Sequence, residues 1–476
     1  MTMPRGPFVI VGGGPCGLAA AWHLARRGAR PLVLEREGLV GGLCATHERG
    51  GWRFDLGGHR FVSGDAELSR WIGRLMGDEL LEQERRSVVL HDGRCFRYPL
   101  EAVDLLRNLG VRENVAAAAG FARARVEQRL STRPDASFED WVTTRFGRPL
   151  YDRFFGPYTE KLWGIPANRI SSDWAAERIS LLDLQDVALR LAGLRRTPTR
   201  TYARRYLYPR LGMGQLYGIV AAEITRLGGE VRTGVRVVGV EVSGQRATAL
   251  RVESPAGAER IPVGELLSTA PLPELVKMLR PELPGDLGRA VDALRFRALT
   301  FVNLMLGRAD FSENTWMYVA SGALQTSRIQ EPRRRSAAMA PEGRTSLMLE
   351  VPCSVGDPTW RAGIDELRRD GLRELGLLGF RVDDVLDAFC VRVAHGYPVY
   401  HLSYDRDRRA LLAEVDRFAN VRSAGRQGLF RYVFMDAAMR MGLRAAEQML
   451  EGSRDGAALD AIGRSSRVVE TAALTA

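Results

Sequence analysis

The 476-residue chain contains no run of 18 or more apolar residues, which excludes a helix long enough to span a bilayer. Cysteine is scarce. Cys16, Cys44, Cys95, Cys353 and Cys390 are odd in number and form neither a CxxC pair nor a Cys/His cluster. A disulfide framework and a zinc site are thereby excluded, and no metal is expected. No internal repeat runs through the sequence. The net charge of +11 comes almost wholly from scattered arginines, with short runs only at Arg195–Arg196, Arg204–Arg205 and Arg333 to Arg335. Without a basic stripe or a docking motif, nucleic acid is not an expected partner.

What remains is the composition of a globular protein, 45% hydrophobic and 26% charged. The length implies two or three domains. The apolar residues near the start run straight into a glycine turn and precede no cleavage site, so they read as a first strand rather than a signal peptide. A cytoplasmic location is expected.

That turn is the most informative stretch. In "VIVGGGPCGLAAAWHLARRGARPLVLERE" an apolar run enters Gly12, Gly14 and Gly17, a helical pattern follows, and a second apolar run ends at Glu35. Gly12 permits the tight turn, Gly14 lets the backbone approach a pyrophosphate, and Gly17 lets helix and strand pack closely. The helix N-terminus directs N–H groups and a positive dipole at the phosphates. Glu35, about 20 residues on, is placed to accept hydrogen bonds from a ribose. The turn therefore binds a dinucleotide. A second such turn is missing, since "LGGEVRTGVRV" does not supply one, and NAD(P)H is left as a transient reductant at most. Further on, Gly41 and Gly42, and then Gly57 and Gly58 before His59, suit main chain lying against the rest of a large cofactor.

The fold class reads as α/β: a discontinuous Rossmann-type dinucleotide domain, a helical insertion, and a second, mostly antiparallel sheet. Residues 1–70, 205–285 and 395–452 are assigned to the first, and residues 100–204 to the insertion. Alternation in "LTFVNLMLG", "SLMLEVP" and "FCVRVAHGYPVYHL" assigns residues 71–99 and 286–394 to the sheet on the substrate side. Ser137 and Ser172, each followed by acids, are expected helix starts. Residues 453–476 are expected to be a flexible tail.

Five further segments carry a resemblance. "GGHRF", "PYTEKLWGIP", "TSRIQEP", "GYPVYHLSY" and "GRQGLFRYVFMDAAM" follow one another in an order similar to UDP-galactopyranose mutase and its relatives among the amine oxidase and protoporphyrinogen oxidase-like flavoproteins. The likeness runs over roughly residues 8 to 450. It implies that the dinucleotide is FAD, held non-covalently. It also implies flavin contacts from His59, Arg426, Asp436 and Met439 beside Gly12, Gly14, Gly17, Glu35, Gly41, Gly42 and Gly58. Arg328 resembles an arginine that grips a diphosphate, Tyr397 and Tyr432 resemble tyrosines that donate to it, and Trp163 resembles an active-site tryptophan. Arg204 or Arg205 is a candidate second phosphate ligand. Taken alone, Trp163 also reads as core and Asp436 as a helix cap.

The resemblance implies one of two chemistries. A mutase of this kind interconverts the pyranose and furanose forms of a nucleotide-activated sugar, with reduced flavin N5 as nucleophile and His59, Arg328 and Trp163 in the catalytic site. An oxidase or dehydrogenase acts instead on a sugar or secondary metabolite. The chain has Leu162 where the mutases carry Gln and Val433 where they carry a second tyrosine, which keeps the oxidoreductase in view.

Overall fold

The computed structural model describes residues 6–98, 108–130, 134–178 and 205–465. At its centre is a five-stranded, wholly parallel sheet in the order Val421–Ser423, Glu265–Ser268, Phe8–Val11, Pro31–Leu34, Glu230–Arg232. Val9, Ile10, Leu266 and Leu267 are completely buried, as a strand covered on both faces requires. The chain leaves Phe8–Val11 to one side for Pro31–Leu34 and returns on the other side as Glu265–Ser268. The carboxyl end of the first strand is therefore the point where an open α/β sheet presents a crevice.

Two helices cover one face of this sheet in close contact. Pro15–Arg26 packs on Met435–Glu451, and a Cβ on Gly442 would fall 2.0 Å from the Cys16 carbonyl oxygen. Small residues at the crossing, Ala19, Ala20, Ala445 and Ala446, complete the contact.

The second sheet has seven strands in the order Val385–Pro398, Phe296–Leu306, Thr345–Cys353, Arg328–Gln330, Trp316–Val319, Ser87–His91, Arg94–Arg97. Its pairings are antiparallel except that Trp316–Val319 runs parallel to Ser87–His91. The fold is the expected α/β one, with a mixed, mostly antiparallel second sheet. Strand Val385–Pro398 belongs to this sheet throughout its 14 residues and so crosses the division expected at 394/395. Helix Ala66–Met76 joins the first core instead, because Leu68, Trp71, Ile72 and Met76 form one apolar face toward Leu216 and Val220.

Both expected helix starts hold: Ser137 caps its helix with a full capping box, and Ser172 is the first residue of Ser172–Arg178, with Asp173 in its first turn and the Asp173 N–H donating to the Ser171 hydroxyl. One local reading needs correction. The tail expected from 453 begins with a helix, Gly456–Ser465. Its Leu459 is buried and its Asp460 carboxylate accepts from Arg408 and Arg431, so burial and two cations order it. Residues 466–476 lie outside the described residues.

Candidate active site

A cavity of about 910 Å³ opens at the carboxyl end of the central strand and runs to the larger sheet. That is at the upper end for small-molecule sites, which span about 300–1,000 Å³.

The glycine turn forms its first end. Gly12 has φ of +102°, and its N–H donates to Leu34 O at 2.8 Å. A Cβ on Gly17 would lie 2.0 Å from Gly12 O, so Gly17 serves helix–strand contact and does not face the cavity. Gly14 does face it, and a Cβ there would meet only Gly42 Cα at 3.9 Å. Gly42 lines the wall, whereas Gly41 is behind it, its N–H donating to Gly13 O at 2.8 Å. Glu35 Oε2 accepts from Gly13 N–H at 2.7 Å and Oε1 from Glu37 N–H at 2.9 Å, which fixes the carboxylate at the cavity edge. Burial pushes the Glu35 carboxyl above its usual range against the pull of those two N–H groups.

Opposite the turn, Asp436 lies in the first turn of helix Met435–Glu451 and lines the cavity. Burial raises its carboxyl, with the Ala437 N–H and the Ser63 hydroxyl acting the other way. Arg426 also lines the wall. Its Nη2 donates to Val433 O at 2.8 Å and its guanidinium stands 4.2 Å from the Tyr432 ring centroid. Met439 does not reach the cavity: it is 1% exposed, with the Tyr217 hydroxyl 3.9 Å from its sulfur, and Met435 and Ala438 face the cavity instead. Position 439 is one residue past Ala438, and that step of about 100° along the helix turns it into the core.

His59 stands on the wall with Nε2–H donating to Leu56 O at 3.0 Å and Nδ1 3.9 Å from Cys44 Sγ. Burial first, and then the Arg426 charge, lower its pKa to about 3, so the ring is neutral. Burial likewise pushes the Cys16 and Cys44 thiols, both on the cavity wall, up to about 12.

The far end is built around Arg328. Its Nη1 is 3.3 Å from Glu350 Oε2, and Tyr397 O–H donates to Glu350 Oε1 at 3.0 Å. The guanidinium stands 5.2 Å from the Tyr318 ring centroid, and Tyr158 also interacts with it. Burial alone works against the Arg328 charge, but the Glu350 carboxylate outweighs it and holds the pKa well above the usual value. Burial, then the Glu350 charge, raises the Tyr397 phenol. Tyr397 stacks on Tyr432 at 5.6 Å, and both line the cavity.

Trp163 is placed otherwise than expected. It is 1% exposed and lies behind the wall, edge-on to Trp174 at 4.6 Å, and Trp174 is the tryptophan that faces the cavity. The LWG turn buries the indole against Tyr397 at 5.9 Å. Arg204 lies outside the described residues, and Arg205 is exposed, pairs with Glu82 at 2.8 Å and does not line the cavity. Sequence reasoning missed Tyr158, Tyr318, Trp174 and Glu350. Glu350 had a readable signal, a lone acid in the apolar run "SLMLEVP" that burial obliges to find a partner.

The first end fits a flavin dinucleotide on its own geometry. Gly12 and Gly17 occupy positions that a Cβ would fill, Gly14 is open to the cavity, and Glu35 stands where a ribose would lie. The profile of the flavin-containing amine oxidoreductases matches residues 15–450. Over 425 residues the chain is 26% identical to the phytoene dehydrogenase of Streptomyces griseus, covering 81% of this chain and 79% of that one. Among solved structures, reduced UDP-galactopyranose mutase is similar with a TM-score of 0.82 at 22% identity, covering 96% of this chain and 98% of the other. Putrescine oxidase bound to putrescine is similar with a TM-score of 0.63 at 16% identity, over 94% and 99%. At these identities the two structures speak to the fold, while the profile match from residue 15 to residue 450 takes in all of the second sheet and every strand of the first but Phe8–Val11. The chain belongs to the flavin-containing amine oxidoreductases.

Proposed function

We propose that this flavoenzyme acts on a nucleotide-activated sugar and interconverts its pyranose and furanose rings. The observation that carries the reading is Arg328, a cation in the cavity wall ringed by Tyr158, Tyr318 and Tyr397 and braced from behind by Glu350. A departing diphosphate needs fixed positive charge with hydroxyl donors around it, already in place before the bond breaks. When bound, reduced flavin supplies a nucleophilic nitrogen, N5. Gly12, Gly14, Glu35, Gly42, Arg426 and Asp436 would hold it. Tyr432 and Trp174 offer flat surfaces to the substrate, and neutral His59 presents a polar ring without a charge.

In this reading the flavin is held without a covalent bond, and burial keeps the Cys16 and Cys44 thiols on the wall protonated. A second reading, a flavin-dependent oxidase or dehydrogenase with NAD(P)H as a transient reductant in the latter case, is favoured by the phytoene dehydrogenase likeness and by the apolar wall of Phe138, Phe154 and Phe155.

The deciding experiment mixes dithionite-reduced enzyme anaerobically with UDP- and TDP-sugars, adds cyanoborohydride, and weighs the released flavin. A flavin heavier by one sugar supports the mutase and names the sugar. Unmodified flavin throughout, with oxygen uptake on another substrate, supports the oxidoreductase.

A further inference from the structure

Lysine is nearly absent from this arginine-rich chain: of its 68 Lys and Arg residues only Lys161 and Lys277 are lysines. Lys277 stands on the cavity wall, and Lys161 does not. Lys161 lies in helix Gly156–Trp163, which sends Tyr158, Thr159 and Leu162 to the cavity. Its Nζ donates to three main-chain carbonyls, Val319 O at 2.6 Å, Ser321 O at 2.8 Å and Thr326 O at 2.9 Å, and stands 5.9 Å from the Tyr158 ring centroid. Three acceptors around one nitrogen match an ammonium, a compact charge with three rotatable donors, and not the planar fork of arginine. That geometry gives a reason for a lysine here.

The three carbonyls belong to one short connection. Strand Trp316–Val319 leads into it and strand Arg328–Gln330 follows it, and Tyr318 and Arg328 are register partners on those two strands. The buried Glu374 carboxylate accepts from two N–H groups of the same connection, Gln325 N–H at 2.7 Å and Thr326 N–H at 2.9 Å. Helix and connection also meet where Pro157 Cβ comes within 3.3 Å of the place a Gly322 Cβ would take. Of the two charged anchors, only Lys161 belongs to the element that carries Tyr158. Tyr158 interacts with Arg328 and stands edge-on to Tyr318 at 6.4 Å.

We propose that Lys161 is a positioning residue for the anion site: its hydrogen bonds fix Arg328 and Tyr318, on the strands, against Tyr158, on the helix. The inference rests on the nucleotide-sugar reading only in taking the anion to be a diphosphate. A diphosphate needs its donors already set in place, and a loose connection would have to be ordered each time one binds. The effect of Lys161 therefore falls on the phosphates and leaves the rest of the ligand alone.

Burial lowers the Lys161 pKa to about 7 against the pull of Glu374, and a neutral amine keeps only two donors for three acceptors. The test is accordingly run at pH 6, below that value, on FAD-loaded protein whose flavin absorbance is titrated with UDP and with inorganic pyrophosphate. Lys161→Met should weaken both ligands by a common factor of about tenfold at unchanged flavin content. Tyr158→Phe should weaken them too, and the double variant should be little worse than Lys161→Met alone, because the hydroxyl is already displaced. A merely structural lysine gives losses that add. Where Lys161→Met does not fold, Lys161→Gln, with two donors on a shorter arm, should show a smaller loss of the same kind. Unchanged affinity in the Lys161 variants, or strict additivity with Tyr158→Phe, overturns the proposal. Pyrophosphate binding without UDP binding fails the nucleotide-sugar reading and leaves Lys161 to be judged on pyrophosphate. Wild-type protein that binds neither ligand ends both.

Discussion

Arg328 and Glu350 are register partners on adjacent antiparallel strands, with the guanidinium Nη1 3.3 Å from a carboxylate that is completely buried. Removing one member of such a pair leaves the other without compensation, which costs about 3–5 kcal/mol, whereas replacing both with apolar residues costs far less. Arg328→Met should therefore destabilise the protein by about 3 kcal/mol, and Arg328→Met/Glu350→Met by clearly less than the sum of the single changes. Urea unfolding of the four proteins checks this. Strict additivity would mean that the two side chains do not interact.

The residues at the two ends of the cavity differ in how far the sequence reveals them. The dinucleotide end was legible because its physics is local: Gly12, Gly14 and Gly17 have fixed offsets from one strand and one helix, and Glu35 closes the next strand. The large sheet was legible from alternation. The burial of Glu350 left a trace in its apolar run, but its pairing with Arg328 did not, because the two lie on different strands and register is not written in spacing. Trp163 and Met439 show the same limit from the other side. Each sits in a segment that reaches the cavity, and one step of helical phase turns it inward.

The glycines of the turn should separate cofactor affinity from stability. A methyl at position 14 meets only Gly42 Cα at 3.9 Å and otherwise enters the cavity, whereas one at position 17 meets Gly12 O at 2.0 Å. Gly14→Ala is expected to lower FAD content sharply while shifting the stability of the flavin-free protein by less than about 0.5 kcal/mol. Gly17→Ala should damage both, since backbone must move. Thermal unfolding of stripped protein, read beside flavin absorbance, makes the comparison. A Gly14→Ala protein that retains full flavin would place the pyrophosphate elsewhere.

His59 sets an acid limit. Its folded pKa of about 3 lies below the ordinary histidine value of 6.5, so the unfolded chain binds a proton that the folded chain refuses. Stability from this group is complete above pH 6.5 and falls as pH drops from there toward about 3. His59→Asn should flatten that part of the stability curve, measured as urea midpoints between pH 7 and pH 4 and compared with wild type. The same neutrality means that the pH dependence of turnover should show no inflection near 6.5 that His59→Asn removes.

The two neighbouring tryptophans should respond in opposite ways. Trp163 is buried behind the wall and braces both Trp174 and Tyr397, at 4.6 Å and 5.9 Å between ring centroids. Its loss opens a large void, so Trp163→Ala should cost about 3–5 kcal/mol in unfolding free energy. Trp174 faces the cavity and meets Tyr432 at 5.3 Å. Trp174→Ala should leave flavin content intact, cost less stability than Trp163→Ala, and weaken UDP binding about tenfold through the lost aromatic surface. Flavin titration with UDP and thermal unfolding, run on both variants, give the answer. Should Trp163→Ala be the one that loses UDP while staying stable, the wall assigned to Trp174 would belong to Trp163, and the helix Gly156–Trp163 would have to turn its last residue toward the cavity when ligand binds.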